Sequence, residues 1–203
     1  SNMNVIDFYQ FWNELIPDFI DFCAGVIKNK TNNKKIVGAF YAYMYEFTSD
    51  ISESGQVGFG RFLRSPNIDY VYVTNSYNNR LLGQADLLRA PAYSAQLHDK
   101  LWVNSDDTMT WNADYIISQF GWDENTENAA KINMGYTDTK EKSQWMFRRQ
   151  AGFNACNAFY QMHLELWARM DANNVWTSMY SNFDDEIGYL NAFCDRTKNY
   201  DRT

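Results

Sequence analysis

The sequence predicts an α/β fold, on three observations. Short, continuously apolar runs rich in β-branched and aromatic residues alternate with segments of helical periodicity. The runs lack the polar alternation of a half-exposed sheet, so they read as strands buried on both faces, as in parallel sheets. No internal repeat, low-complexity tract or linker interrupts the 203 residues. The whole chain, 1–203, therefore reads as a single domain with a sizeable core.

Residues 4–30 form the first predicted helix. Phe8, Phe11, Trp12, Leu15, Phe19, Phe22, Cys23 and Val26 recur at three- and four-residue spacing, with Pro17 as a potential kink. A Lys/Asn-rich turn over 28–35 follows, then a buried strand over 35–43. Polar residues 48–56 make a loop, 57–63 a short helix, and Ser65-Pro66-Asn67 ends it. Tyr70–Thr74 is the second strand, followed by a long loop over 75–96. Leu101-Trp102-Val103 is the third strand, running into Asp106-Asp107. Residues 109–138 read as loop with helical pieces, and 139–171 as one long helix. Asn174–Tyr180 is the fourth strand, and Asp184-Asp185-Glu186 opens a last helix, where carboxylates suit the amino end.

Composition narrows the function. A hydrophobic fraction of 45% with 21% charged residues is that of a globular domain. Net charge is −7, and an acidic surface disfavours nucleic acid and anionic membranes as partners. No apolar run approaches a membrane span and no signal peptide is visible; Ser1-Asn2-Met3 reads as a tag remnant or cut point. Cys23, Cys156 and Cys194 match neither a zinc site nor a redox motif and read as reduced, mostly buried thiols. His98 and His163 are too isolated for a metal cluster. Neither a metal nor a cofactor is expected, since phosphate-loop, dinucleotide and nucleophile-elbow patterns are all missing. Aromatics reach 17%, enough for a thick core and for platforms against flat sugar faces.

Three stretches together carry a resemblance. They are Gly38-Ala39-Phe40-Tyr41 through Glu46-Phe47, the block Ser65-Pro66-Asn67-Ile68-Asp69-Tyr70 … Ser76-Tyr77 … Arg80 … Leu97-His98 … Lys100-Leu101-Trp102 … Asp106-Asp107-Thr108, and Arg148-Arg149 with Trp176 and Phe183-Asp184-Asp185. The ordered set resembles β-galactosidase-like glycoside hydrolases related to family 42. The resemblance implies the C-terminal half of a (β/α)₈ TIM barrel: strands five to eight, four parallel strands with flanking helices, completed by a second half or by dimerisation.

Retaining glycosidases hold two carboxyl groups about 5 Å apart, one as nucleophile and one as acid/base. In such barrels these groups stand at the carboxyl ends of strands. The resemblance places the acid/base on strand four, outside this chain, and the nucleophile just after strand seven. Ser105 occupies that nucleophile position; a one-residue shift would make it Asp106. A serine hydroxyl cannot stabilise an oxocarbenium ion as a carboxylate does. Met109 stands where family members carry Arg, and Ser178 where Asp is common, so the mouth reads as catalytically degenerate. By resemblance, Glu46, Tyr77, Arg80, Asp107 and Trp176 would bind substrate. Glu46 could equally be a charge satisfied by a loop, and Asp106 and Asp107 could cap the following helix. Arg148 and Arg149 are expected to make structural ion pairs.

The expected function is that of a glycoside hydrolase-like half-barrel with a partial carbohydrate-binding mouth, inactive alone. The alternative is a non-catalytic carbohydrate-binding or structural assembly protein. Open sheet edges and an apolar inner face predict a homo-oligomer.

Overall fold

The computed structural model describes residues 3–47, 50–113, 121–163, 168–170, 176–178 and 184–197. They belong to two compact units, one of residues 1–74 with 88–104 and the other of 75–87 with 105–203. Four strands form a parallel sheet in the order β1–β2–β3–β4, so the chain has the predicted α/β fold.

The first unit opens with α1 (Met3–Lys30), matching the predicted helix. Its docked face is not the aromatic stripe that betrayed it. Asn13, Pro17, Ala24 and Lys28 are buried, while Phe8, Phe11, Leu15, Phe19, Phe22 and Val26 are exposed. Polar anchors select that face. The Asn13 side-chain amide donates to the carbonyls of Tyr9 (2.9 Å) and Ser52 (2.7 Å), and its oxygen accepts from the Val57 amide at 2.9 Å. Lys28 reaches Asp69 at 2.5 Å. Pro17 and Ala24 are small enough to let the helix approach closely; a Cβ on Gly58 would lie 2.2 Å from the Asn13 carbonyl oxygen.

Strand β1 (Gly38–Phe40) pairs in parallel with β2 (Tyr70–Thr74), Gly38 opposite Tyr70. A side chain at Gly38 would sit 2.4 Å from the Tyr70 ring, so only glycine permits this register. The predicted strand runs to residue 43, but Ala42 adopts a left-handed conformation (φ 72°) and turns the chain into a 3₁₀ segment at Tyr43–Glu46. Helix α2 (Phe59–Leu63) stacks Phe62 on Tyr41 with ring centroids 4.7 Å apart, the aromatic heart of this unit. Helix α3 (Ala92–Leu97) begins after Pro91, inside the stretch predicted as loop. Strand β3 (Leu101–Asp106) is longer than the three residues predicted.

In the second unit, α4 (Glu124–Asn133) is capped by Asp123, whose side chain accepts from the Thr126 amide. Thr139 does the same for the Lys142 amide at the start of α5 (Lys140–Cys156). Here the sequence reading needs correction. The helix predicted to reach residue 171 stops at Cys156, Ala158 turns left-handed (φ 56°), and β4 (Tyr160–His163) follows as the fourth parallel strand. The segment predicted as that strand contributes β6 (Trp176–Ser178), antiparallel to β5 (Ala168–Met170). Phe159, Met162, Leu166 and Met170 continue the helical spacing, and apolar spacing alone does not register a left-handed residue. Helix α6 (Asp184–Thr197) carries Asp184, Asp185 and Glu186 in its first turn, as expected. The three cysteines, expected to be mostly buried, are exposed.

Candidate functional site

The site lies in the second unit, around the carboxyl end of β3 and the loop over 75–87. Ser105, Asp106 and Asp107 are consecutive and almost wholly shielded from solvent. The Ser105 carbonyl accepts the Asn75 amide at 3.2 Å, extending the ladder past the end of β2.

Asp107 is held by two of the predicted site residues. Arg80 forms a buried ion pair with its Oδ1, and the Tyr77 hydroxyl donates to Oδ2 at 2.7 Å. The Arg80 guanidinium also lies over the Tyr77 ring, 4.3 Å from its centroid. Its remaining donors reach the carbonyls of Ser76 and Asn75, both at 2.7 Å. Gly135 makes room for this loop: at φ 64° it sits where a Cβ would come within 2.8 Å of the Arg80 carbonyl oxygen.

Asp106 faces a different set. Its Oδ1 accepts from the Thr108 amide (3.0 Å) and from the Gln150 side-chain amide (3.0 Å), and its Oδ2 meets His163 Nδ1 at 3.2 Å. Burial alone would push this carboxyl up. The hydrogen bond and charge of His163, with Thr108 and Arg80 behind them, outweigh burial and hold it at about 2. Asp86, within the same loop, is paired with Arg149 at 2.6 Å, yet burial prevails and its carboxyl is raised.

Among the predicted residues, Tyr77, Arg80 and Asp107 are thus brought together, and Ser105 and Asp106 adjoin them in sequence. Glu46 belongs to the first unit, where it pairs with Arg89 at 3.2 Å; the Arg89 guanidinium lies over the rings of both Tyr43 and Phe47. The side chain of Trp176 lies outside the described residues. Arg148 and Arg149 make the expected ion pairs, Arg148 with Glu186 at 2.8 Å.

Sequence reasoning missed two members. Gln150 donates to both Asp106 and Thr108, and His163 orients on Asp106 while its side chain keeps 28% exposure, with the Phe147 ring 4.4 Å away. A signal for Gln150 existed: Ser143, Gln150 and Asn154 fall in phase with Met146, Phe147 and Ala151, so polar residues share the buried face of α5. A buried amide on such a face needs a polar partner.

Chemically, both strand-end carboxylates are committed to internal donors, which stabilise their charge and lower their nucleophilicity. Among the described residues no group of His, Cys, Asp and Glu is placed to hold a metal ion, and no helix is long and apolar enough to cross a membrane. Compared with family models, curated proteins and solved structures, the chain matches none.

Proposed function

We propose that this chain is a glycoside hydrolase-like half-barrel, equivalent to strands five to eight of a β-galactosidase-type barrel, that binds carbohydrate without hydrolysing it. The observation that carries the reading is the commitment of the strand-end acids. Asp107 is paired with Arg80 and accepts from Tyr77, and Asp106 is hydrogen-bonded by His163, Gln150 and Thr108. Ser105, at the nucleophile position implied by the resemblance, offers no charge to an oxocarbenium ion. The chain therefore has no uncommitted carboxylate at β3 for a covalent step.

Two assays test this. Release of nitrophenol from a nitrophenyl galactoside is expected to stay at the buffer rate; turnover would overturn the non-catalytic reading. Calorimetric titration with galactose and lactose is expected to show weak, saturable binding. Flat titrations with both sugars would overturn the carbohydrate reading.

A further inference from the structure

Helix α1 displays an apolar stripe on the side facing away from its own unit. At about 100° of rotation per residue, Phe8, Phe11, Leu15, Phe19, Phe22 and Val26 fall along one line. Asn13, Pro17, Ala24 and Lys28, the buried residues, fall on the opposite side. The four phenylalanines of the stripe are 57–66% exposed. A surface helix ordinarily turns such a stripe toward the core. Here the core side is taken by polar anchors and small residues, which leaves the larger apolar surface uncovered.

The stripe continues into an apolar groove of about 200 Å³, lined by Phe19, Cys23 and Ile27 of α1, by Gly38 and Ala39 of β1, and by Ile68. Strand β1 is an edge of the parallel sheet, and its last residue, Phe40, and Ile36 just before it are exposed.

We infer that α1 is a homodimerisation surface, on which a second copy of this chain lays its own α1 antiparallel to the first. Area supports a partner of this size. The four phenylalanines alone expose roughly 500 Å² if each ring residue offers about 200 Å². Leu15 and Val26, 39% and 44% exposed, bring the stripe to roughly 600 Å², the low end of what each partner buries in a standard stable interface. Charge polarity supports the antiparallel arrangement. Asp7 is exposed near the amino end of the helix, Glu14, Asp18 and Asp21 are engaged by Arg61, Ser65 and Asn67 of their own unit, and Lys30, Lys34 and Lys35 are exposed at and just beyond its carboxyl end. Antiparallel copies set each Asp7 beside the other's basic end and oppose the two helix dipoles. A self-complementary patch of this kind closes on itself as an isologous dimer rather than a filament. The inference stands on α1 alone and does not depend on carbohydrate binding.

Light scattering of the full chain, from sub-micromolar to hundreds of micromolar, tests it. The expected result is a dimer. The double variant Phe19→Glu, Phe22→Glu should raise the dimer dissociation constant at least a hundredfold while circular dichroism stays that of the parent, because both rings are exposed. A milder pair, Phe19→Ser with Phe22→Ser, repeats the test should the charged variant misfold. Leu97→Glu, at an exposed position on α3, should leave the dimer intact. Asp7→Lys should weaken it several-fold; strengthening would overturn the antiparallel orientation. A parent chain that stays monomeric throughout, or a dimer that survives both double substitutions, overturns the α1 interface.

Discussion

The two compact units each contain a carboxylate knot, and the knots differ in how they treat water. In the first unit Asp69 accepts from Lys28 (2.5 Å) and the Val37 amide (2.6 Å), and its backbone pairs with Val37 and Leu101. Lys100 completes the tie through the carbonyls of Ser65 and Ile68, both at 2.7 Å. Burial opposes ionisation of Asp69, but Lys28 and the Val37 amide outweigh it and hold the carboxyl below its ordinary value. The Asp69 side chain still keeps 31% exposure. In the second unit the Arg80 and Asp107 side chains keep 2% and 0%. The first knot ties strand beginnings together within reach of solvent. The second is sealed, and its members depend on one another for solvation.

That contrast teaches where charge can be removed cheaply. Without Lys28, Asp69 at 31% exposure can still be solvated by water, whereas breaking the sealed pair leaves an unpaired buried ion behind. It also gives the motif residues behind the resemblance a mechanical role. Ser65 and Asn67 both bond the Asp21 carboxylate of α1, the latter at 2.9 Å, and Asp69 and Lys100 lock the starts of β2 and β3.

The largest effect should come from breaking the sealed knot. Arg80→Met leaves Asp107 buried with the Tyr77 hydroxyl alone, and should cost about 3–5 kcal/mol in urea unfolding. Lys28→Met is the matched test in the other unit, and its loss should be clearly smaller; equal losses would erase the contrast. Asp106→Asn should act through pH. The folded-state value of Asp106, about 2, lies below its ordinary 3.8, so its stabilisation is present above the ordinary value and is lost as pH falls toward 2. The parent should therefore lose on the order of 2 kcal/mol between pH 5 and 2 that the Asn variant does not lose, read from urea midpoints at each pH. The smallest effect belongs to Arg61→Ala. Its bonds to Asp18, at 2.5 and 2.9 Å, are well formed but solvent-exposed, so the urea midpoint should stay close to that of the parent.

Legibility followed the range over which each feature is encoded. Helix α1, strand β2 and the amino ends of α5 and α6 are local patterns: periodicity, β-branched runs, and capping Thr139 or leading carboxylates. The end of α5 is not such a pattern, because Ala158 takes a left-handed conformation that its side chain does not advertise. Tyr77, Arg80 and Asp107 stood among five residues expected to bind substrate, but their bonds to one another were not part of that expectation. Gln150 and His163 were not, because they approach Asp106 from 44 and 57 residues away.

By itself, then, the sequence determined the α/β class, most helix starts and the acidic, aromatic character of the chain, since these arise from neighbouring residues. Only the tertiary structure decided which face of α1 is docked and which partners each carboxylate receives. The reason is the same in both cases. An apolar stripe specifies that a helix forms, but Asn13 and Lys28 find their acceptors only once distant segments have assembled. Likewise, adjacent aspartates with nearly identical local chemistry acquire opposite partners, Arg80 for one and His163 for the other, from segments that lie far apart in the chain.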